Sequence, residues 1–89
     1  MAWNLEISPA AQRQLDKLDK QVARRISKYL YERVHNIDDP RQLGEPLQGN
    51  LSEFWRYRVG DYRVICLLED ERLVVLVLRI GHRREIYKR

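Results

Sequence analysis

Apolar and polar residues alternate from Trp3 to Ile7, the period-two signature of a half-buried strand. Ser8-Pro9 interrupts the pattern. Serine is a favoured N-cap and proline is pre-organised for the first helical position, so a helix is expected here, with Ala11, Leu15 and Leu18 on its apolar stripe. Asp19 is placed to cap a second helix in which Val22, Ile26, Leu30, Val34 and Ile37 line one face, flanked by Ala23 and Tyr29. The opposite face holds Arg24, Arg25, Lys28 and Glu32. Asp38-Asp39-Pro40 should end this helix, because the residue before a proline resists helical geometry.

Residues 40–50 contain two prolines and two glycines and read as a connecting loop. Strand patterning then returns over Phe54–Val59, Tyr62–Leu68 and Leu73–Arg79. Gly60-Asp61 fits a two-residue hairpin turn with glycine at its first central position, and Glu69–Arg72 makes the next turn. Gly81 is expected to break the last strand, with Arg83–Arg89 beginning a short tail helix. The reading is α+β: a single domain over residues 1–89, two N-terminal helices packed on a small, antiparallel-rich, four-stranded sheet in the order β-α-α-β-β-β. The apolar run Leu73–Leu78 should lie inside the sheet, since it would invite aggregation at an edge.

Hydrophobic residues make up 44% of the 89 and charged residues 34%, a globular rather than a disordered balance. No apolar run approaches the roughly 18 residues of a membrane helix, and Trp3, Glu6 and Pro9 interrupt any signal-peptide core. The lone Cys66 can form no internal disulfide, so a cytosolic location is expected. Net charge is +4, and all of it falls after Glu53: residues 55–89 hold nine Lys/Arg against five acids. Localised basic charge of this kind points to a polyanionic partner, with nucleic acid first among candidates.

Hairpin geometry sharpens that expectation. A two-residue turn at Gly60-Asp61 pairs Val59 with Tyr62, Arg58 with Arg63 and Arg56 with Ile65. Directly opposed residues share a face, as do residues two apart, so Arg56, Arg58 and Arg63 should project from one side. Like charges directly opposite destabilise a hairpin, whereas a phosphate backbone would offset the repulsion and match the guanidinium forks. Arg79, Arg83 and Arg84 lie towards the far end of the sheet. No paired carboxylates, phosphate-binding loop or metal-spaced ligand set is present, so no cofactor is expected.

The runs Leu47-Gln48-Gly49-Asn50, Trp55-Arg56-Tyr57-Arg58-Val59-Gly60-Asp61-Tyr62-Arg63-Val64-Ile65 and Arg79-Ile80-Gly81-His82-Arg83-Arg84-Glu85-Ile86-Tyr87 resemble the RelE/ParE toxin superfamily, and nearly the whole chain shares in the resemblance. For the RelE branch it implies a toxin that binds the A site of the 70S ribosome and cleaves mRNA there, the mRNA's own 2′-hydroxyl attacking the adjacent phosphate, with a cognate antitoxin as partner and no membrane. It places a catalytic set on Arg56, Arg58, Arg63, Arg83 and Tyr87, with Arg79, Arg84 and Lys88 as further RNA contacts. Arg56 and Arg58 would hold the phosphate, Arg63 and Arg83 would stabilise charge developing on it, and Tyr87 would orient or deprotonate the 2′-hydroxyl or stack on a base.

One departure matters. Well-known members carry lysine where this chain has Arg56 and Arg58, and arginine is effectively never deprotonated. His82 is then a candidate acid or base, set against a packing role in the turn. The alternative function is a ParE-like inhibitor of DNA gyrase without nuclease activity, which has no need of all five site residues together. A third, kept alive by the arginine-for-lysine change, is a simple RNA-binding module or a toxin that has lost activity. His35 reads as a boundary histidine and Cys66 as a buried small hydrophobe.

Overall fold

The structure, a computed structural model, describes residues 3–48 and 53–86. Strand β1 (Asn4–Ile7) leads into α1 (Pro9–Lys17) and α2 (Lys20–Tyr29), followed by a π-helical turn (Leu30–Val34) and a 3-10 turn (Pro40–Leu43). Strands β2 (Glu45–Pro46), β3 (Phe54–Val59), β4 (Tyr62–Glu69) and β5 (Val74–His82) complete one mixed sheet of order β1-β5-β4-β3-β2, with β1 parallel to β5 and every other pair antiparallel. Among the described residues no helix is long and apolar enough to cross a membrane.

The helix starts are those expected. The Ser8 hydroxyl accepts from the Ala11 amide at 3.1 Å with Pro9 in the first turn, and the Asp19 carboxylate accepts from Gln21 at 3.0 Å. The second helix stops sooner than its apolar stripe suggested. After Tyr29 the backbone widens, His35 N–H donating to Leu30 O at 2.8 Å, and the Asn36 amide donates to the carbonyls of Tyr31 and Glu32. That side chain satisfies the last carbonyls in place of further helix. Ile26, Leu30 and Val34 stay fully buried, so the stripe is real although the regular helix is short.

The sheet has five strands rather than the expected four. The addition is β2, which pairs Glu45 with Arg56 and Pro46 with Trp55 at the sheet edge. Two residues cannot display a period, and proline, lacking an N–H, belongs at an edge. As expected, β5 lies inside the sheet, but it runs through Gly81 to His82 instead of breaking at the glycine.

Both helices cover one face, where Ala11, Leu15, Ile26, Leu30 and Val34 meet Tyr57, Val59, Val64, Cys66, Leu68, Val75, Val77 and Ile80. The other face is free of helices, and a bulge decides what it shows. Ile65 pairs with Arg79 but Cys66 pairs with Val77, leaving Leu78 as an extra residue in β5. Strict alternation from Val75 and Val77 would aim Arg79 into the core; the bulge turns it outward and brings Ile80 in. Backbone groups at this bend have built partners. Ser8 Oγ donates to Leu78 O at 3.4 Å, and Ile80 N–H donates to Gln14 Oε1 at 2.7 Å.

Burial pushes the Cys66 thiol and the Tyr57 hydroxyl well above their ordinary titration ranges and raises the Tyr29 hydroxyl, against the opposing pull of Arg33. Their neutral forms are therefore favoured by folding. This stability is fully present below the ordinary thiol value of 9.0 and is lost as pH rises towards the elevated folded values. Unfolding free energy should be flat between pH 6 and 8, then fall by about 1.4 kcal/mol per pH unit above pH 9, more steeply once the tyrosines join near pH 10. Urea titrations across that range check this, and the alkaline loss should begin about a pH unit later in Cys66→Ala.

Candidate nucleic-acid interface

The site is built on the β3–β4 hairpin. Gly60 adopts φ +60°, and no positive φ occurs at Asp61, the combination a type II′ turn requires. The register pairs Val59 with Tyr62, Arg58 with Arg63 and Arg56 with Ile65, so the three arginines share the helix-free face as expected. Arg79, opposite Ile65, joins them.

An acid that sequence reasoning passed over lies among them. Glu45 Oε1 is 2.9 Å from Arg58 Nε and 3.4 Å from an Arg56 guanidinium nitrogen, so one half-exposed carboxylate holds both arginines. It is delivered by β2 opposite Arg56. The segment before it is firmly held. The Tyr57 hydroxyl donates to Pro40 O at 2.9 Å within the core. The Arg41 guanidinium lies 5.7 Å from the Trp3 ring and 5.8 Å from the Trp55 ring, and bonds Asp70 at 2.6 Å. Gly44 is needed for packing, because a β-carbon there would stand 2.9 Å from the Tyr57 ring.

Arg63 folds back onto its own turn, donating to Gly60 O at 3.0 Å and Tyr62 O at 2.9 Å. Arg83 reaches the same turn from the end of β5. Its amide donates to Asp61 O at 2.8 Å, and its Nε lies 3.8 Å from the Asp61 carboxylate. The turn after β5 is closed by Glu85 and Ile86 amides on His82 O, both at 2.9 Å, with the buried Ile86 packed over Gly81. A side chain at Gly81 would meet Ile86 at 3.1 Å. Residues 83–86 are turns, not the start of a helix, and Arg84 is exposed there.

His82 stands apart from the arginines. It pairs with Tyr62, so it shares the Tyr62 side of the sheet, and the two rings meet edge-on at 5.5 Å. Its Nδ1 accepts from the Arg84 amide at 3.1 Å, which leaves the ring proton of the neutral form on Nε2. The structure thus gathers Arg56, Arg58, Arg63 and Arg83 around one hairpin, with Arg79 on the same face and Glu45 between the first two. Tyr87 and Lys88 lie outside the described residues.

Two helices on one face of a mixed sheet, with arginines on the other, define a small α+β protein. The chain belongs to the family described as the ParE toxin of type II toxin–antitoxin systems, whose model matches residues 5–87. It is 28% identical to toxin RelG of Mycobacterium tuberculosis over 89 residues, all of both chains. Among solved structures it is similar to a chain of the M. tuberculosis toxin–antitoxin complex RelBE2, with TM-score 0.85 and 25% identity over 93% of this chain and 100% of that one. It is also similar to a chain of the archaeal RelE–RelB complex from Pyrococcus horikoshii, with TM-score 0.72 and 25% identity over 96% and 99%. The protein is a type II toxin of the RelE/ParE superfamily.

Proposed function

We propose that this toxin is a ribosome-dependent endoribonuclease that cleaves mRNA in the A site, and that a cognate antitoxin holds it in check. The observation that carries this reading is that three arginines share the helix-free face of one hairpin, two of them bound to a single carboxylate, while a fourth, Arg83, reaches its turn. Folding alone gains little from opposing Arg58 with Arg63. A phosphodiester placed there would exchange these ion pairs, of which Arg58–Glu45 is exposed on both sides, for charge-assisted bonds to phosphate oxygens. Similarity to toxin RelG and to a chain of the RelBE2 complex supports the RelE reading. The gyrase-inhibitor reading leaves the arginine set without a task.

In the reaction, the 2′-hydroxyl oxygen attacks the adjacent phosphorus and the 5′-oxygen leaves, giving a 2′,3′-cyclic phosphate and a 5′-hydroxyl. Arg56 and Arg58 hold the phosphate, while Arg63 and Arg83, moored to the turn, stabilise negative charge as it develops. Arginine cannot accept the 2′-hydroxyl proton. Glu45 takes it, being the carboxylate in contact with both phosphate-binding arginines, and the leaving oxygen is protonated by solvent. His82 orients the turn bearing Arg83 and Arg84 through its Nδ1. Arg79, Arg84 and Lys88 contact flanking phosphates, and Tyr87 orients the 2′-hydroxyl or stacks on a base. Primer extension on programmed ribosomes tests the proposal: new ends within the A-site codon should require ribosomes and fade in Arg83→Ala. Intact mRNA with a toxin that still arrests cells would overturn it.

A further inference from the structure

A second cationic surface lies round the hairpin from the arginine face. A groove of about 440 Å³ opens between α2 and the end of β3, over Val59 and Gly60, and is lined by Arg25, Lys28, Tyr29, Glu32, Arg33 and Arg58. Its helical members recur at three- and four-residue spacing, which puts them on one side of the helix and its π-turn. Arg25 and Lys28 form no ion pair among the described residues, and the Arg33 guanidinium lies 5.8 Å from the Tyr29 ring. A β-carbon at Gly60 would stand 3.0 Å from an Arg25 guanidinium nitrogen, so the hairpin turn has Arg25 packed on it while Arg63 bonds its carbonyl.

Four cations facing one carboxylate repel each other when nothing is bound, so the groove suits a polyanion. We propose that it is a second phosphodiester site, holding RNA backbone that flanks the strand engaged by the arginine face; this rests on the RNA-cleaving reading. Arg58 lines the groove and also bonds Glu45, so one arginine joins the two surfaces into a continuous track. An acidic protein segment is the weaker fit. Partner peptides need apolar anchor pockets, and here Val59 is already buried, leaving Tyr29 as the only aromatic wall among the described residues. Phosphate backbone needs little besides charge and hydrogen-bond donors.

The test compares wild type with Arg25→Glu/Lys28→Glu and with Glu32→Lys. Binding of a short, uncleavable 2′-O-methyl RNA is followed by anisotropy against salt, and binding to ribosomes carrying 2′-O-methyl mRNA by sedimentation. The double variant should bind roughly tenfold more weakly and lower the slope of log affinity against log salt by about 1.4, as two lost phosphate contacts require. Glu32→Lys should bind more tightly, a gain that misfolding cannot mimic. Weakening on naked RNA assigns the groove to the mRNA strand; weakening only on ribosomes assigns it to ribosomal RNA, and both support the site. Unchanged affinity on both probes, or a loss confined to antitoxin binding, overturns it. Cut positions mapped in parallel on ribosomes carrying all-ribose mRNA separate the two questions: wild-type A-site cleavage with an unaffected double variant removes the groove alone, whereas no cleavage by wild type removes the nuclease reading.

Discussion

Arg58→Ala should lower ribosome-dependent cleavage by about 10²–10³-fold while leaving the thermal transition nearly unchanged. The two halves of this expectation have different physical origins. The Arg58 side chain is 59% exposed and its partner, Glu45, is 51% exposed, so their ion pair contributes little to folding. In the proposed reaction its value lies in a fork of donors that meets charge growing on the phosphate. Arg58→Lys should recover only part of the rate, because an ammonium keeps the charge and loses the bidentate geometry. Glu45→Gln completes the comparison. The amide can still accept from Arg58 but cannot take a proton, so cleavage should fall. Single-turnover rates, alongside melting curves, distinguish these effects.

Tyr57→Ala should be the most damaging single change to the fold. The ring is fully buried between the helices and the sheet, and its hydroxyl bonds Pro40 O. Truncating a buried aromatic costs about 3–5 kcal/mol, and an orphaned carbonyl adds about 1–3 kcal/mol. Against a total stability of about 5–15 kcal/mol, the variant should be largely unfolded at growth temperature. Tyr57→Phe separates the terms: it keeps the ring, frees Pro40 O and should cost about 1–3 kcal/mol in urea titrations. Because Pro40 begins the segment that ends at Glu45, the phenylalanine variant should also cleave more slowly than its lost stability explains.

What could be read from the chain followed the physical scale of each signal. The helix starts at Ser8-Pro9 and Asp19, the Gly60-Asp61 turn and the shared face of Arg56, Arg58 and Arg63 depend on local chemistry or strict alternation, and the structure has them all. Glu45 was invisible because its strand is two residues long and its importance comes from β3, eleven residues away in the pairing with Arg56. The bulge at Leu78 was hidden in an unbroken apolar run, where nothing local marks one extra residue. Yet it decides that Arg79 faces the arginines. The early end of α2 depends on Asn36 competing for carbonyls, against a stripe that continues to Val34.

The most direct test of the account uses two mRNAs that differ by one oxygen. Ribosomes are loaded with an all-ribose message or with one carrying a single 2′-deoxynucleotide at the mapped cut, and toxin is added to each. Only the first should be cleaved, leaving a 2′,3′-cyclic phosphate on the upstream fragment. Equal cleavage of both messages would show that the 2′-hydroxyl is not the nucleophile and would contradict the mechanism built on the arginine face.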